Sequence, residues 1–352
     1  MPGFGVRGSG FGKGKTMQKR LYLLILMLLF PSIGRAAFTS KSAGASGAAF
    51  LKIGAGARPA GMGGAYTAVA DDVNTIYWNP GGLSTLKSKN EFVAMRAELF
   101  QGLQYNFFAF AHPMREYGTI AVGMINLNIT GIESRTTDSD NPDSTFSSND
   151  SAYSVAYAKK LTFGSLPAYD EEGGLHAGLS AKAVRQTLAG EAANTFAADF
   201  GALYKFSDRP LSMGLAVQNV GATQKFKSES DPLPLTIQLG TSYRLGQDWA
   251  VSGVRVGEER KTGLLLALDA HAPRDDDPSA RIGAEFTRGW SENTAVSVRA
   301  GYETARVRQI EGTASGISAG AGVTYKFFTF DFAWVPYGNL GNTFRYSIKL
   351  RF

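Results

Sequence analysis

Three histidines are the residues best suited to acid–base or nucleophilic chemistry. His112 and His176 stand at polar positions of alternating segments, and His271 stands at a segment end just before Pro273. A hydrolytic site would pair one of them with a nucleophile and an orienting acid. None has such a partner at a recognisable spacing, so the sequence predicts no catalytic residue and no enzyme.

Three further stretches look like ligand-binding motifs and fail on inspection. A phosphate-binding loop over Gly8–Thr16 would need glycine where Ser9 stands. The carboxylates of Asp138–Asp143 alternate as in a calcium loop, but Pro142 occupies a ligand position. Gly61–Gly64 lacks the third glycine of a dinucleotide fingerprint. We therefore expect no metal and no cofactor.

The first 36 residues predict an export signal. Lys19 and Arg20 precede ten apolar residues, Leu21–Phe30, and Gly34–Ala36 supplies the small residues of a cleavage site. The apolar run is too short to span a bilayer as a helix, so we expect cleavage after Ala36.

The leader also explains the basic charge of the chain. The whole chain has 36 basic and 30 acidic residues. All six extra basic residues lie in residues 1–36, so the predicted mature chain is neutral. This balance argues against a nucleic-acid partner.

The mature chain is dominated by alternation with a period of two. In Phe344–Phe352, apolar side chains alternate with Arg345, Ser347, Lys349 and Arg351. Successive side chains of a strand point to opposite faces, so this segment has one apolar and one polar face. The same alternation recurs in segments 103–111, 175–183, 196–206, 235–243, 282–286, 296–302 and 317–327.

The length and number of these segments predict a membrane barrel. They run to about 9–12 residues, which suits the ~9–11 of a tilted membrane strand. Bacterial barrels have even strand numbers, so of fourteen or fifteen segments we predict fourteen strands and assign Trp249–Val256 to an extended loop. The predicted fold class is an all-β, antiparallel transmembrane barrel over residues 89–352, with hydrocarbon against the apolar faces.

Residues 37–88 differ from the rest and predict a short helical segment. Apolar residues recur three and four positions apart between Tyr66 and Tyr77, a helical spacing. Asp71 and Asp72 are candidate N-caps for a second short helix. Pro80, after Asn79, suits the first position of a helical turn.

The stretch 56–83 resembles the N-terminal signature of the PorV/PorQ family of outer-membrane proteins, distant relatives of the fatty-acid transporter FadL. The resemblance lies in Gly56–Ala65, in Ala68–Asp72 and in Tyr77–Leu83. The residues that carry it are Gly61, Gly63, Gly64, Asp71, Asp72, Trp78, Asn79 and Pro80. The resemblance implies a barrel whose N-terminal segment forms a hatch in the lumen. FadL-like proteins have Asn-Pro-Ala in that hatch, whereas Gly81 follows Pro80 here.

The resemblance leaves more than one function open. It implies a bacterial outer-membrane protein, in contact with outer-membrane lipid, that moves a hydrophobic small molecule through its lumen. PorV itself serves the type IX secretion system, so an alternative is a partner of secretion-system proteins that binds exported cargo. A hatch that only seals the pore, and a structural or adhesive surface β protein, are further alternatives.

Overall fold

The computed structural model describes residues 46–86, 89–137, 141–161, 173–207, 209–226, 229–245, 262–310 and 314–352. The predicted signal and the Trp249–Val256 arm lie outside these ranges. Fourteen of the described strands form one closed antiparallel barrel, which confirms the predicted fold class. Strand neighbours in the barrel follow the chain order, and the first strand pairs with the last.

The strands of the barrel are eight to eighteen residues long. A two-stranded ribbon, β8 and β9, interrupts the order between β7 and β10. The strands are β1 Glu91–Glu98, β2 Gln104–Pro113, β3 Thr119–Ser134, β4 Ser144–Leu161, β5 Gly174–Leu188, β6 Glu191–Lys205, β7 Leu211–Gly221, β8 Gln224–Phe226, β9 Glu229–Asp231, β10 Thr236–Leu245, β11 Thr262–Pro273, β12 Ser279–Ser291, β13 Thr294–Glu303, β14 Ile317–Tyr325, β15 Phe328–Pro336 and β16 Asn342–Arg351.

The barrel has two rims, which we name by their chain segments. The terminal rim holds Asn90 and Phe352, whose backbones exchange two hydrogen bonds of 2.7 and 3.0 Å. The loop rim is the opposite end, where β1 ends at Glu98 and β13 ends at Glu303. Because the strands run up and down, each strand joins one rim to the other.

Most alternating segments point their apolar face outward. Outward residues such as Phe196, Ile282 and Tyr346 are 73%, 52% and 43% exposed, whereas Lys182 and Arg299 on polar faces are buried in the lumen. In a closed barrel, the backbone groups at every strand edge are hydrogen-bonded to a neighbouring strand. Lipid then covers the apolar outer belt. The chain is therefore a bacterial outer-membrane barrel.

Strand β2 is an exception to the predicted orientation. Its alternation assigns Tyr105 and Phe107 to the lipid side, but both side chains are buried in the lumen, and Phe108 faces outward at 42% exposure. The prediction fails here because Phe108 and Phe110 make the opposite face of β2 partly apolar as well, so the period alone does not say which face is inside. The lumen face of β2 belongs to the same buried apolar cluster as Tyr66 and Trp78.

Residues 46–86 fill the lumen, and we call them the hatch. They form helices α1 Ala57–Gly61 and α2 Thr75–Trp78 and the 3-10 turns Ala49–Lys52 and Pro80–Thr85. The predicted helical stretch between Tyr66 and Tyr77 is mostly turn, because its apolar residues pack in several directions inside the barrel. The remaining helical elements among the described residues are 3-10 turns at Phe100–Gly102, Arg115–Tyr117 and Gly338–Leu340, and α3 Thr304–Gln309 in a loop. None of the described helices combines the length and apolarity needed to cross a bilayer.

Candidate functional site

Glycines let the hatch backbone touch the barrel wall. Gly63 and Gly64 have φ of +66° and +76°, a conformation that suits glycine. A Cβ on Gly63 would lie 2.7 Å from the backbone nitrogen of Tyr302, and one on Gly61 would lie 3.1 Å from Cα of Gly320. Gly61 and Gly63 therefore face wall backbone directly, whereas Gly64 faces the side chains of Trp78 and Arg281.

Trp78 lies at the centre of the hatch. Its Nε1 donates a 2.8 Å hydrogen bond to the carbonyl of Ala55. Its ring packs edge-on against Tyr77 at 5.0 Å and tilted against Tyr66 at 6.3 Å between centroids. The guanidinium of Arg281, on β12, lies 5.7 Å from the ring centroid. Trp78 thus joins two parts of the hatch to each other and to the wall.

Asn79 connects the hatch to β6 and begins the next turn. Its Nδ2 donates to the carbonyls of Thr67 at 2.7 Å and Ala202 at 3.0 Å. Its Oδ1 accepts from the backbone of Gly81 at 3.1 Å, and Pro80 is the first residue of the 3-10 turn that this cap begins. The turn expected from Asn79 and Pro80 is present in this form.

Close packing against the wall explains why glycine, and not alanine, follows Pro80. A Cβ on Gly81 would lie 2.8 Å from the carbonyl oxygen of Gly201 and 3.1 Å from that of His176. Alanine would therefore be crowded at this position. The same turn brings Ser84 Oγ to 2.8 Å from His176 Nδ1, while that hydroxyl donates to the Gly81 carbonyl at 3.0 Å. These contacts fix the turn against β5 and β6.

Asp71 and Asp72 do not cap a helix, which corrects the sequence prediction. Helix α2 begins after Asn74, which makes no side-chain cap. Asp72 Oδ1 instead accepts from the backbone and side-chain nitrogens of Asn74 at 3.0 and 2.9 Å. The other carboxylate oxygens of the two aspartates turn toward cations, because a buried charge needs an ionic partner.

Arg58 is the central cation of this network. Its Nε and Nη2 donate to the two carboxylate oxygens of Glu285, on β12, at 2.8 and 2.7 Å. Its Nη1 donates to Asp71 at 2.6 Å, to the Tyr66 hydroxyl at 2.9 Å and to Asp72 at 3.1 Å. Arg58 thus joins nearby parts of the hatch to β12, which is 227 positions away in the sequence.

Wall residues complete the network, which we call the ionic cluster. Lys349 Nζ donates to Asp72 at 2.8 Å and Arg244 Nη2 donates to Asp71 at 2.7 Å. Arg299 bridges Glu285 at 2.6 Å and Asp331 at 2.8 Å. The ionic cluster comprises four cations and four carboxylates: Arg58, Arg244, Arg299, Lys349, Asp71, Asp72, Glu285 and Asp331. Its formal charge is zero.

The cluster keeps the hatch aspartates ionised. Burial raises the pKa of Asp71, but Arg58 and Arg244 more than offset this and hold that pKa well below its usual value. Burial likewise raises the pKa of Asp72, while Lys349 and Arg58 hold it below its usual value. Both carboxylates are therefore charged at neutral pH and stabilise the docked hatch.

The hatch has two chemically different sides. Its ionic side, described above, faces β10 to β16. Its apolar side shares one buried cluster with the lumen faces of β1 to β4, including Met95, Phe107, Ile125 and Ala152. Here the hatch is held by apolar burial, worth about 25 cal/mol per Å². Neither side is covalently fixed, since the chain has no cysteine.

An apolar groove of about 640 Å³ crosses the outer surface of the barrel. Outward side chains line it, and Gly214 of β7 and Gly240 of β10 form part of its floor. Thr67 of the hatch contacts both glycines from the lumen side, and a Cβ on Gly240 would lie 2.9 Å from the Thr67 Cβ. Backbone alone therefore separates the groove from the hatch at this point. The side chains lining the groove include Tyr204, Met213, Leu215, Leu239 and Leu268.

The structure thus brings all the predicted hatch residues into the lumen, and it adds Arg58 and its wall partners. A signal for Arg58 was present, because it is the sole cation in residues 53–86, and Asp71 and Asp72 are the sole anions there. Glu285 and Lys349 carried no such signal, since alternating charged residues occur on most strands.

No family model matches the chain, and no curated protein matches it. Among solved structures, it is similar to the CymD monoaromatic hydrocarbon channel, with TM-score 0.52 and 10% identity over 85% of this chain and 97% of that one. It is also similar to the toluene transporter TbuX of Ralstonia pickettii, with TM-score 0.48 and 12% identity over 85% and 97%. A FadL homologue of Pseudomonas aeruginosa gives TM-score 0.47 and 8% identity over 83% and 96%. The likeness to CymD shows a shared fold.

Proposed function

We propose that this outer-membrane barrel is a channel of the PorV/FadL type for a small hydrophobic molecule, and that the hatch is its gate. The molecule enters the lumen from the loop rim, displaces part of the hatch and leaves sideways into the membrane. A sideways exit suits a hydrophobic molecule, because it avoids transfer into water.

The observation that carries the proposal is the contact of Thr67 with Gly214 and Gly240. These glycines present no side chain to the lumen, and their other surface is the floor of the apolar outer groove. A shift of Thr67 would leave only strand backbone between the lumen and lipid. The groove then supplies an apolar surface on which the molecule can leave.

The two sides of the hatch support a movement confined to one side. The ionic cluster ties Arg58, Asp71 and Asp72 to β10 to β16 through short ion pairs. Breaking a buried pair is costly, about 3–5 kcal/mol. Apolar contacts can be exchanged for contacts with an apolar ligand at less cost, so ligand-driven movement is expected on the apolar side and at Thr67.

An engineered disulfide tests the gate. An ideal Cβ on Gly283 of β12 lies 3.3 Å from the Ala65 Cβ, close to the ~3.5–4.5 Å of a disulfide. The variant Ala65→Cys with Gly283→Cys should take up radiolabelled toluene slowly when oxidised and at the single-cysteine rate after reduction. The chain has no cysteine of its own, so no other disulfide can form.

Single-cysteine variants control for the crowding that any side chain causes at Gly283. The pair Gly47→Cys with Asp231→Cys, where the corresponding distance is 3.2 Å, is a second lock on the hatch. Equal toluene uptake by the oxidised and reduced forms of both pairs would contradict a moving hatch and favour a hatch that only seals the lumen.

The resemblance of residues 56–83 to PorV supports a second proposal, that the barrel binds exported cargo of a type IX secretion system. Its test is a pull-down of exported proteins that share a C-terminal domain, with the detergent-solubilised barrel as bait. Recovery of such proteins by the disulfide-locked and unlocked forms alike would favour the secretion role. A genome that encodes no such proteins would remove it.

A further inference from the structure

A cavity in the lumen lies on the loop-rim side of the hatch, apart from the ionic cluster. Its volume is about 260 Å³. We call it the cationic pocket because basic residues dominate its charged lining. Its charged and aromatic lining residues are Lys52, Trp78, Arg281, Glu303, Arg306, Tyr337 and Arg345.

The pocket carries an excess of positive charge. Arg281 and Arg306 share one carboxylate, that of Glu303, with Nε–Oε distances of 2.8 and 2.9 Å. Lys52 is paired elsewhere, with Asp275 at 2.6 Å. Among the residues that line the pocket, three guanidinium groups therefore face one carboxylate, which leaves the lining with a surplus of two positive charges. The ionic cluster, which lies nearer the terminal rim, is balanced, so it does not share this surplus.

Arg345 is the residue that most requires a further partner. Its side chain is buried, with 4% of the residue exposed. It donates from Nη1 to the carbonyl of Gly54, while its Nε has no hydrogen-bond partner. Within the described part of the chain, no carboxylate lies at salt-bridge distance from it. A buried guanidinium without a counter-charge is unfavourable, and a bound oxyanion would supply both the charge and the acceptor.

Aromatic rings line the same pocket beside these cations. Arg281 lies over Trp78 at 5.7 Å, and Arg306 lies over Tyr337 at 5.8 Å from the ring centroid. A cavity of about 150 Å³ is enough to hold benzene, so this one has room for a single ring with a charged substituent. Stacked guanidinium and aromatic groups together suit a planar, partly apolar anion.

We infer that the cationic pocket is a binding site for a small aromatic carboxylate. The carboxylate accepts hydrogen bonds from Arg345 and from the free donors of Arg281 and Arg306, and the ring lies against Trp78 and Tyr337. This site lies in the lumen on the loop-rim side, and its occupation does not require the hatch to move.

Calorimetric titration of the detergent-solubilised full chain tests the site. Benzoate is the probe. Toluene tests the aromatic ring without the carboxylate, and inorganic phosphate tests an oxyanion without the ring. We expect benzoate to bind at least tenfold more tightly than either. Arg345→Gln and Arg306→Gln should each weaken benzoate binding at least tenfold. Arg306 lies on the loop helix α3, outside the strands, so its replacement does not alter a barrel strand.

Arg351→Gln is the matched control. Arg351 lies on the same strand as Arg345, about 20 Å away along it, and pairs with Glu91 at the terminal rim. Its loss should leave benzoate affinity unchanged, and a heat-dependent gel shift would show that all variants are folded. Equal affinities for benzoate and toluene, or for benzoate and phosphate, would overturn the assignment. Unchanged benzoate affinity in both arginine variants would also overturn it, whether or not toluene is transported.

Discussion

Arg58 and Glu285 are joined by two parallel hydrogen bonds, Nε to Oε2 at 2.8 Å and Nη2 to Oε1 at 2.7 Å, across 227 positions of sequence. The first belongs to the hatch and the second to β12. Bidentate pairs of this kind fix the relative orientation of the two side chains as well as their distance. The pair therefore sets how the ionic side of the hatch sits against the wall.

Replacing Glu285 should loosen the hatch and leave the barrel folded. In Glu285→Gln, Arg58 loses a buried partner, at a cost of about 3 kcal/mol. Amide hydrogens of the hatch should then exchange about 100-fold faster, as measured by mass spectrometry. Glu98→Gln is the control. Glu98 is exposed and its ion pair with Arg96 is long, at 3.8 Å, so this replacement should leave the exchange of hatch amides unchanged. Equal exchange in the two variants would contradict a role for the pair.

Acidification should release the hatch only at low pH. The pKa values of Asp71 and Asp72 are lowered in the docked hatch from an ordinary value of 3.8. A carboxylate whose pKa is lowered by docking stabilises the docked state at any pH above its ordinary pKa. This stabilisation is lost as the pH falls from the ordinary pKa through the lowered one. The cations that face these two aspartates are Arg58, Arg244 and Lys349.

Liposome permeability to small polar solutes should accordingly be constant from pH 8 to pH 5 and should rise below about pH 4. Asp72→Asn removes one of the titrating groups and should reduce the size of the rise. A rise centred near pH 6 in the parent protein would point to a group other than these aspartates.

Removing the hatch should open the lumen. The wall presents polar side chains inward on most strands, and a fourteen-stranded barrel is wider than its wall side chains can fill. Deletion of residues 48–88 should therefore raise the passive permeability of liposomes to polar solutes such as small sugars. Unchanged permeability in a folded deletion variant would mean that other segments seal the pore.

A methyl group at Gly240 should disturb the contact between Thr67 and Asp269. Its Cβ would meet the Asp269 carboxylate first, and it would lie 2.9 Å from the Thr67 Cβ and 3.1 Å from the backbone nitrogen of Ala68. Such crowding costs about 1–3 kcal/mol. The Thr67 amide, which donates to Asp269 at 2.8 Å, should exchange faster in Gly240→Ala.

Gly263→Ala is the matched control for this variant. Gly263 also lies on a barrel strand, and a Cβ there would come no closer than 3.7 Å to the carbonyl oxygen of Leu245. Thr67 exchange should match the parent in this control. The same exchange rate in both alanine variants would show that Thr67 is not held against Gly240.

Membrane extraction distinguishes the barrel from a soluble surface or adhesive β protein. The outer belt, with Phe196 at 73% and Trp290 at 70% exposure, should keep the protein in membranes washed with sodium carbonate. Detergent should release it. Release by carbonate or salt alone would mean that the belt is covered by protein.

The sequence by itself determined the repeated unit of this protein. Alternation along segments such as Phe344–Phe352 requires a strand with one apolar and one polar face, and its recurrence requires many such strands. Strand number, antiparallel order and the outward direction of most apolar faces were predicted on this basis, and the structure confirms them. The turn at Asn79 and Pro80 was also readable, since its capping contacts are local.

Tertiary structure alone decided what meets inside the barrel. The period of β2 is the same whichever face is inside, and only closure around Tyr66 and Trp78 turned Phe107 inward. Asp71 and Asp72 have local signals for capping, but Arg58 in the hatch and cations from β10 and β16 compete more strongly for their carboxylates. The pairing of Arg58 with Glu285, and the position of Arg345 away from every described carboxylate, depend on how the hatch meets distant strands. Local periodicity specifies faces, whereas the meeting of those faces is fixed only when the sheet closes.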